Sequence, residues 1–263
     1  MEKIINCLSD RRFANLLFVK VWIGETEATA LFDTGAGMTV VTQSLQDRLH
    51  IASEKESFGA GNNTGMIREL KTAVLPGMRI GNIRTDECRV LVTDDADLAF
   101  NDESGNTFPA EMLLGWDVIS RYRWSYSAKN GTLSVSASER TTGYLSPEIR
   151  QGPIVFPEHG GHRFCARVDT GHTGSVLSAA WRSRLSDIKY HETEISGVGS
   201  SQHELLSYVP VLQLRFQSKA VCLRDVDIFD ELYGQPAEIE ALLGYDFLEG
   251  RDWLLDKEFG FDI

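Results

Sequence analysis

The chain carries the tripeptide Asp-Thr-Gly twice, each time at the end of the same kind of apolar approach. The first copy reads Ala30-Leu31-Phe32-Asp33-Thr34-Gly35 and the second Ala166-Arg167-Val168-Asp169-Thr170-Gly171. Downstream, Leu113-Leu114-Gly115 is answered by Leu242-Leu243-Gly244. A single Asp-Thr-Gly arises by chance in roughly one chain of this length in twenty, and alone it reads as a β-turn. The surroundings repeat as well. With Asp33 set on Asp169, Thr39 falls on Ser175, Val40 on Val176, Val41 on Leu177 and Thr42 on Ser178. Trp116-Asp117 through Trp124 likewise matches Tyr245-Asp246 through Trp253. A turn explains none of this. A duplicated unit of about 110 to 130 residues explains all of it, and any fold for this chain must accommodate two copies of one plan.

Strand signals dominate both copies. Leu16 to Ile23 is β-rich, turns at Gly24-Glu25, and returns through Ala28 to Phe32 straight into Asp33. Pro153 to Phe156, a turn through Glu158-His159-Gly160-Gly161, and Arg163 to Val168 repeat that hairpin ahead of Asp169. After each triplet a short helix is expected, capped by Thr42 over 43–49 and by Ser178 over 179–185. Each copy then holds a glycine pair in a polar stretch, Gly59 and Gly61 with Asn62 and Asn63, and Gly197 and Gly199 with Ser200 and Ser201. Two readings of these stand, plain β-turns or mobile flaps at hairpin tips. The polar run 141–150 reads as a linker. It separates an N-terminal lobe, 1–140, from a C-terminal lobe, 151–263. The expected class is all-β: two pseudo-symmetric lobes with a cleft between them.

Composition narrows the function. The net charge of −12 speaks against non-specific nucleic-acid binding. No apolar run approaches the length of a membrane span, and the first residues have no secretory signal core. A cytoplasmic location is therefore the expectation. Cys7, Cys88, Cys165 and Cys222 lack metal-ligand spacing and are expected as reduced, partly buried thiols. Asp94-Asp95-Ala96-Asp97 and Asn101 to Ser104 read as a solvated acidic loop. The six histidines form no His-Glu-x-x-His pattern, and Gly174-Ser175-Val176 lacks the second glycine of a nucleophile elbow. No metal and no cofactor is called for. Trp116, Trp124 and Trp253 read as core rather than as substrate stackers.

These residues resemble the pepsin/retropepsin superfamily of aspartic peptidases over nearly the whole chain from about Leu16. Asp-Thr-Gly-Ala36 followed by Thr39-Val40-Val41 resembles the retropepsin version more than the pepsin version. Both halves nevertheless lie in one chain, as in pepsin, and a bacterial source is expected. The resemblance implies that Asp33 and Asp169 form a catalytic dyad. It implies that Thr34 and Thr170 lock the two loops by crossed hydrogen bonds. It places Leu113-Leu114-Gly115 and Leu242-Leu243-Gly244 beneath those loops, with Gly35 and Gly171 supporting the dyad. One departure is His172 after the second triplet, where a small or hydroxyl residue is expected.

The chemistry can also be reasoned from the residues. Two carboxylates about 3 Å apart share one proton. The charged member activates water and the protonated one polarises the carbonyl. The expectation is a monomeric aspartic endopeptidase acting on an extended peptide or protein substrate. The rival is a catalytically silent peptide-binding module of the same fold. Ala36 brings no hydroxyl to its carboxylate, and His172 either points away from the dyad or titrates beside it. An optimum of roughly pH 5 to 7 follows.

Overall fold

The computed structural model describes residues 3–6, 16–61, 64–101, 107–137, 152–197, 199–256 and 260–263. Cys7, Asn62, Asn63, Asp102 to Ser104 and the linker 141–150 lie outside them. The fold is all-β and bilobal, built on two nine-stranded sheets. One takes its strands from between Phe18 and Leu114, the other from between Ile154 and Leu243. A five-stranded sheet joins the halves. Lys3–Asn6, Tyr122–Ser127 and Thr132–Ala137 come from the first half, Trp253–Asp256 and Gly260–Asp262 from the second. The seam pairs Trp124 with Leu255 and Tyr126 with Trp253.

The first hairpin forms where the alternation predicts it. Phe18–Ile23 pairs with Thr26–Phe32 from Phe18↔Leu31 to Ile23↔Thr26, and Gly24 takes the left-handed φ (+58°) of the two-residue turn. Val19, Val21 and Ile23 face the core while Lys20 faces out to Glu27. In the second half the matching approach is broken into short pieces. Ile154–Val155 pairs with Ala166–Val168, and Glu158–His159 with His162–Arg163 around Gly160-Gly161.

Aromatic packing ties the halves from within. Phe32, the last residue before Asp33, meets Trp124 edge-on at 4.9 Å and lies 6.1 Å from Trp253. Tyr126 stacks on Trp253 at 5.5 Å. All three tryptophans of the repeats are buried, as expected of core residues. Truncating Trp124 to alanine would cost about 3–5 kcal/mol on the usual scale for such a site.

Three local expectations are corrected. Thr42 caps its helix, Gln43–Arg48, by accepting from Leu45 N. Ser178 makes no such bond, and its segment is a 3-10 helix, Ala179–Ser183. The acidic run is not simply solvated. Asp95–Leu98 forms a 3-10 turn that carries Asp97 to Arg68 (2.7 Å) and to the Thr93 hydroxyl. Cys88 is buried and Cys165 half-buried, but Cys222 is exposed.

Candidate active site

Each Asp-Thr-Gly loop is held by the same three-strand arrangement. In the first half Met112–Leu114 runs parallel to Thr26–Phe32 and antiparallel to Val40–Thr42, so the strand leaving the loop flanks it opposite the strand entering. In the second, Ala241–Leu243 stands in the same way between Ala166–Val168 and Val176–Ser178. The backbone bonds match one for one. Asp33 N donates to Leu114 O (3.0 Å) and Asp169 N to Leu243 O (2.8 Å). Trp116 N donates to Ala36 O (2.7 Å) and Tyr245 N to His172 O (2.8 Å). Gly115 and Gly244 are required by close approach. A Cβ on Gly115 would lie 2.5 Å from the Met38 carbonyl carbon, and one on Gly244 would lie 2.5 Å from the Gly174 carbonyl oxygen.

The two loops meet. Thr34 N donates to Thr170 Oγ1 (3.1 Å) and Thr170 N donates to Thr34 Oγ1 (3.0 Å). Each hydroxyl then donates onward across the junction, Thr34 to Val168 O (2.8 Å) and Thr170 to Phe32 O (2.6 Å). Both threonines are buried. The bond is reciprocal and satisfies a backbone N–H and a backbone C=O on each side.

This junction sets Asp33 and Asp169 side by side. Each carboxyl lies over the glycine of the opposite loop: a Cβ on Gly35 would fall 2.2 Å from Asp169 Oδ2, and one on Gly171 would fall 2.4 Å from Asp33 Cγ. The two carboxyls are close enough for the charge of Asp169 to act directly on Asp33. Asp33 Oδ1 accepts from Gly35 N (2.8 Å) and Ala36 N (3.0 Å), whereas Asp169 Oδ1 accepts from Gly171 N alone (3.0 Å). Both residues are half-buried. Burial, and next the charge of Asp169, push the Asp33 carboxyl up to about 7, against the backbone N–H groups of Ala36 and Gly35, which pull it down.

Behind each loop stands a carboxylate that sequence reasoning aligned but did not place in the site. Asp117 Oδ1 accepts from Thr39 N (2.9 Å) and Thr39 Oγ1 (2.8 Å), and Gly115 N donates to that hydroxyl (3.1 Å). Asp246 Oδ1 accepts from Ser175 Oγ (2.6 Å), and Gly244 N donates to Ser175 Oγ (3.0 Å). The Thr39/Ser175 and Asp117/Asp246 matches were the available signal, since a hydroxyl and an acid recur at fixed offsets in both copies. Ser175 is thereby a structural residue.

The glycine pairs sit near the ends of two long hairpins. Ser53–Gly61 pairs with Ile67–Leu75, placing Gly59 opposite Glu69 and Gly61 opposite Ile67. Lys189–Gly197 pairs with Ser200–Phe216, placing Gly197 opposite Ser200. Each end reaches the other half. A Cβ on Gly65 would meet the Tyr233 ring at 2.8 Å, and one on Gly199 would lie 2.0 Å from Arg68 Nη1 and 2.8 Å from Asp97 Oδ1. Gly65 and Gly199 both take positive φ, +78° and +74°. The hairpins expose Phe58, Ile67, Tyr190 and Leu205. His172 turns back on its own loop, with Nδ1 against Gly174 O, and its charge acts on Asp227. Ala36 contributes its backbone N–H to Asp33. Among the described residues no group of His, Cys, Asp and Glu is arranged to hold a metal ion, and no helix is long and apolar enough to cross a membrane.

Residues 19–118 match the family model described as Aspartyl protease. The stretch takes in the first Asp-Thr-Gly loop, the first long hairpin and Leu113-Leu114-Gly115, and ends before the second loop. Comparison with the curated proteins gives no match. The match agrees with the aspartic-peptidase resemblance in the first half of the chain and supports protease as the class of function.

Proposed function

We propose that the chain is an active aspartic endopeptidase whose catalytic pair is Asp33 and Asp169. The observation that carries the reading is the pair itself, two half-buried carboxyls, each lying over the glycine of the other's loop at the junction of two matching loops. Such a pair holds one negative charge and one proton between them. A water between the carboxyls gives a proton to the charged member as its oxygen attacks the peptide carbonyl. The protonated member delivers its proton to the carbonyl oxygen, leaving a neutral tetrahedral diol. Collapse of the diol breaks the C–N bond, and a dyad proton passes to the departing amine. The chemistry is complete without a cofactor, and one chain supplies both acids, so the working unit is a monomer.

The substrate of this reading is an extended peptide. The exposed Phe58, Ile67, Tyr190 and Leu205 suit a substrate with apolar residues flanking the scissile bond. The raised position of Asp33 supports a mildly acidic to near-neutral optimum. The test is cleavage of a peptide library by wild type, Asp33→Asn and Asp169→Asn. Each variant is expected to lose turnover by about 10²–10⁴-fold or more while still binding peptide. Substantial activity in either purified variant refutes the dyad. Peptide binding by wild type without cleavage at any pH assigns the silent module instead.

A further inference from the structure

Arg167 is a charge where the repeat has none. It stands two residues before Asp169, and its counterpart two residues before Asp33 is Leu31. The registers agree: Leu31 pairs with Phe18 and Leu113, Arg167 with Ile154 and Leu242. Leu31 is buried in an apolar cluster with Leu16, Phe18, Val40 and Leu113. Arg167 is also buried, at 7 % exposure. Its Nε is sealed from solvent and has no hydrogen-bond partner among the described residues. Room for the longer side chain comes from a paired change. Phe32 N bonds Leu17 O as Val168 N bonds Pro153 O, which sets Gly152 where the first half has Leu16. Gly152, at φ +137°, lies against the guanidinium, so that a Cβ there would fall 2.8 Å from Nε. The Leu16/Leu31 pair of one half has become Gly152/Arg167 in the other.

A guanidinium with a sealed and unpartnered Nε is costly on general grounds, and Leu31 demonstrates that the architecture does not need it. Alternation along the strand turns Arg167 toward the same side as Asp169. The groups that face it are few. On its own strand they are Asp169 ahead and Cys165 behind, and of these only Asp169 carries a charge, since burial pushes the Cys165 thiol up and keeps it neutral. The paired strands present Ile154 and Leu242, which do not titrate. Glu238 and Glu240 act on Cys165, and Asp33 reaches Asp169 from the other half. We propose that Arg167 is a built-in countercharge of the dyad, a positioning residue that keeps the single negative charge on Asp169 and leaves the shared proton on Asp33. The proposal rests on the dyad reading above. The backbone donors alone point the other way, because Asp33 receives two N–H groups and Asp169 one. A cation beside Asp169 reverses that bias and gives the two acids fixed starting roles, Asp169 as base toward water and Asp33 as acid toward the carbonyl.

The test uses the full chain with Arg167→Met and Arg167→Gln, two neutral side chains of similar length, and Arg167→Lys, which restores the charge. Two readouts are taken: the pH dependence of kcat/KM, and ¹³C NMR titration of labelled aspartate carboxyls, which needs no turnover. Without the countercharge both deprotonations of the pair become harder. Both limbs of the pH–rate profile are expected to move up by about one pH unit, and the carboxyl that ionises first is expected to change from Asp169 to Asp33. Arg167→Lys is expected to recover most of the shift. Profiles and titrations that superimpose on wild type in either folded neutral variant overturn the proposal. So does a lysine variant that behaves like the neutral ones, since that result assigns Arg167 to packing. If wild type cleaves nothing at any pH, the peptidase reading fails while the NMR titration still decides whether Arg167 orders the two carboxyls.

Discussion

Thr34→Val deletes one oxygen and keeps the shape of the side chain. The Thr34 hydroxyl donates to Val168 O and accepts from Thr170 N, both in the other half of the molecule. Valine leaves that carbonyl and that N–H buried without partners. Each orphaned group costs about 1–3 kcal/mol, so the variant is expected to lose about 2–6 kcal/mol. Thr34→Ser keeps the oxygen and loses a methyl group, for about 1 kcal/mol. Thr170→Val mirrors the first variant by orphaning Thr34 N and Phe32 O. The double valine variant is expected to lose less than the sum, because separation of the loops at one side admits water to the groups at the other. Urea denaturation followed by tryptophan fluorescence, with linear extrapolation, measures all four proteins. Turnover should fall further than stability alone implies, since the same bonds fix the spacing of Asp33 and Asp169. A Thr34→Val protein within 0.5 kcal/mol of wild type, roughly the scatter of a neutral surface change, refutes the argument. Equal losses for serine and valine refute it too, because the oxygen is then not what matters.

Gly35→Ala and Gly171→Ala drive a methyl group into the opposite carboxyl; turnover is expected to fall by about 100-fold or more, while Gly37→Ala, where nothing lies within 4 Å of the new carbon, stays near wild type in the same peptide assay. Stability should also depend on pH through Asp33. Its carboxyl is raised from an ordinary 3.8 to about 7 in the folded chain, so folding takes up a proton between those values; the contribution is fully present below about pH 3.8 and is lost as pH rises through about 7, at roughly 1.4 kcal/mol per unit at most. Denaturation curves from pH 4 to 8 are expected to slope more steeply for wild type than for Asp33→Asn, and parallel slopes exclude Asp33 as the source.

Much of this was legible in the sequence because duplication forces the same residues into the same local duties. A strand that ends in an acid, a glycine that must lie against a neighbouring backbone, and an apolar pair threaded between two strands leave matching letters in both copies. The Thr34–Thr170 bond was reached by resemblance, and the hairpin at Gly24-Glu25 by turn chemistry. What stayed hidden depends on distance across the molecule. Nothing near Gly199 in sequence announces Arg68 and Asp97, and the acidic run around Asp97 looks solvated until the fold brings Arg68 and Thr93 to it. Ser178 carries the letter of a helix cap, yet its segment closes as a tighter 3-10 turn and the hydroxyl is left unpaired.

A perfect repeat would give two equivalent carboxyls, whereas peptide hydrolysis asks one to begin as base and the other as acid. The places where the copies disagree are therefore where roles can be assigned. Ala36 offers a backbone N–H to its own aspartate's carboxylate, while the His172 N–H goes to the Asp169 backbone carbonyl and its ring to Gly174. Leu16 and Leu31 fill space in one half, while in the other Gly152 and Arg167 place a cation two residues before Asp169, close enough for the two charges to interact. Read singly, each looks like drift in a duplicated sequence. Gly152 and Arg167 do not, because the side chain missing at Gly152 leaves free the space in which the Arg167 guanidinium lies, where a Cβ would fall 2.8 Å from Nε. On the reading proposed above, the symmetric residues build the pair, and the paired exception decides which of the two acids holds the proton when water attacks.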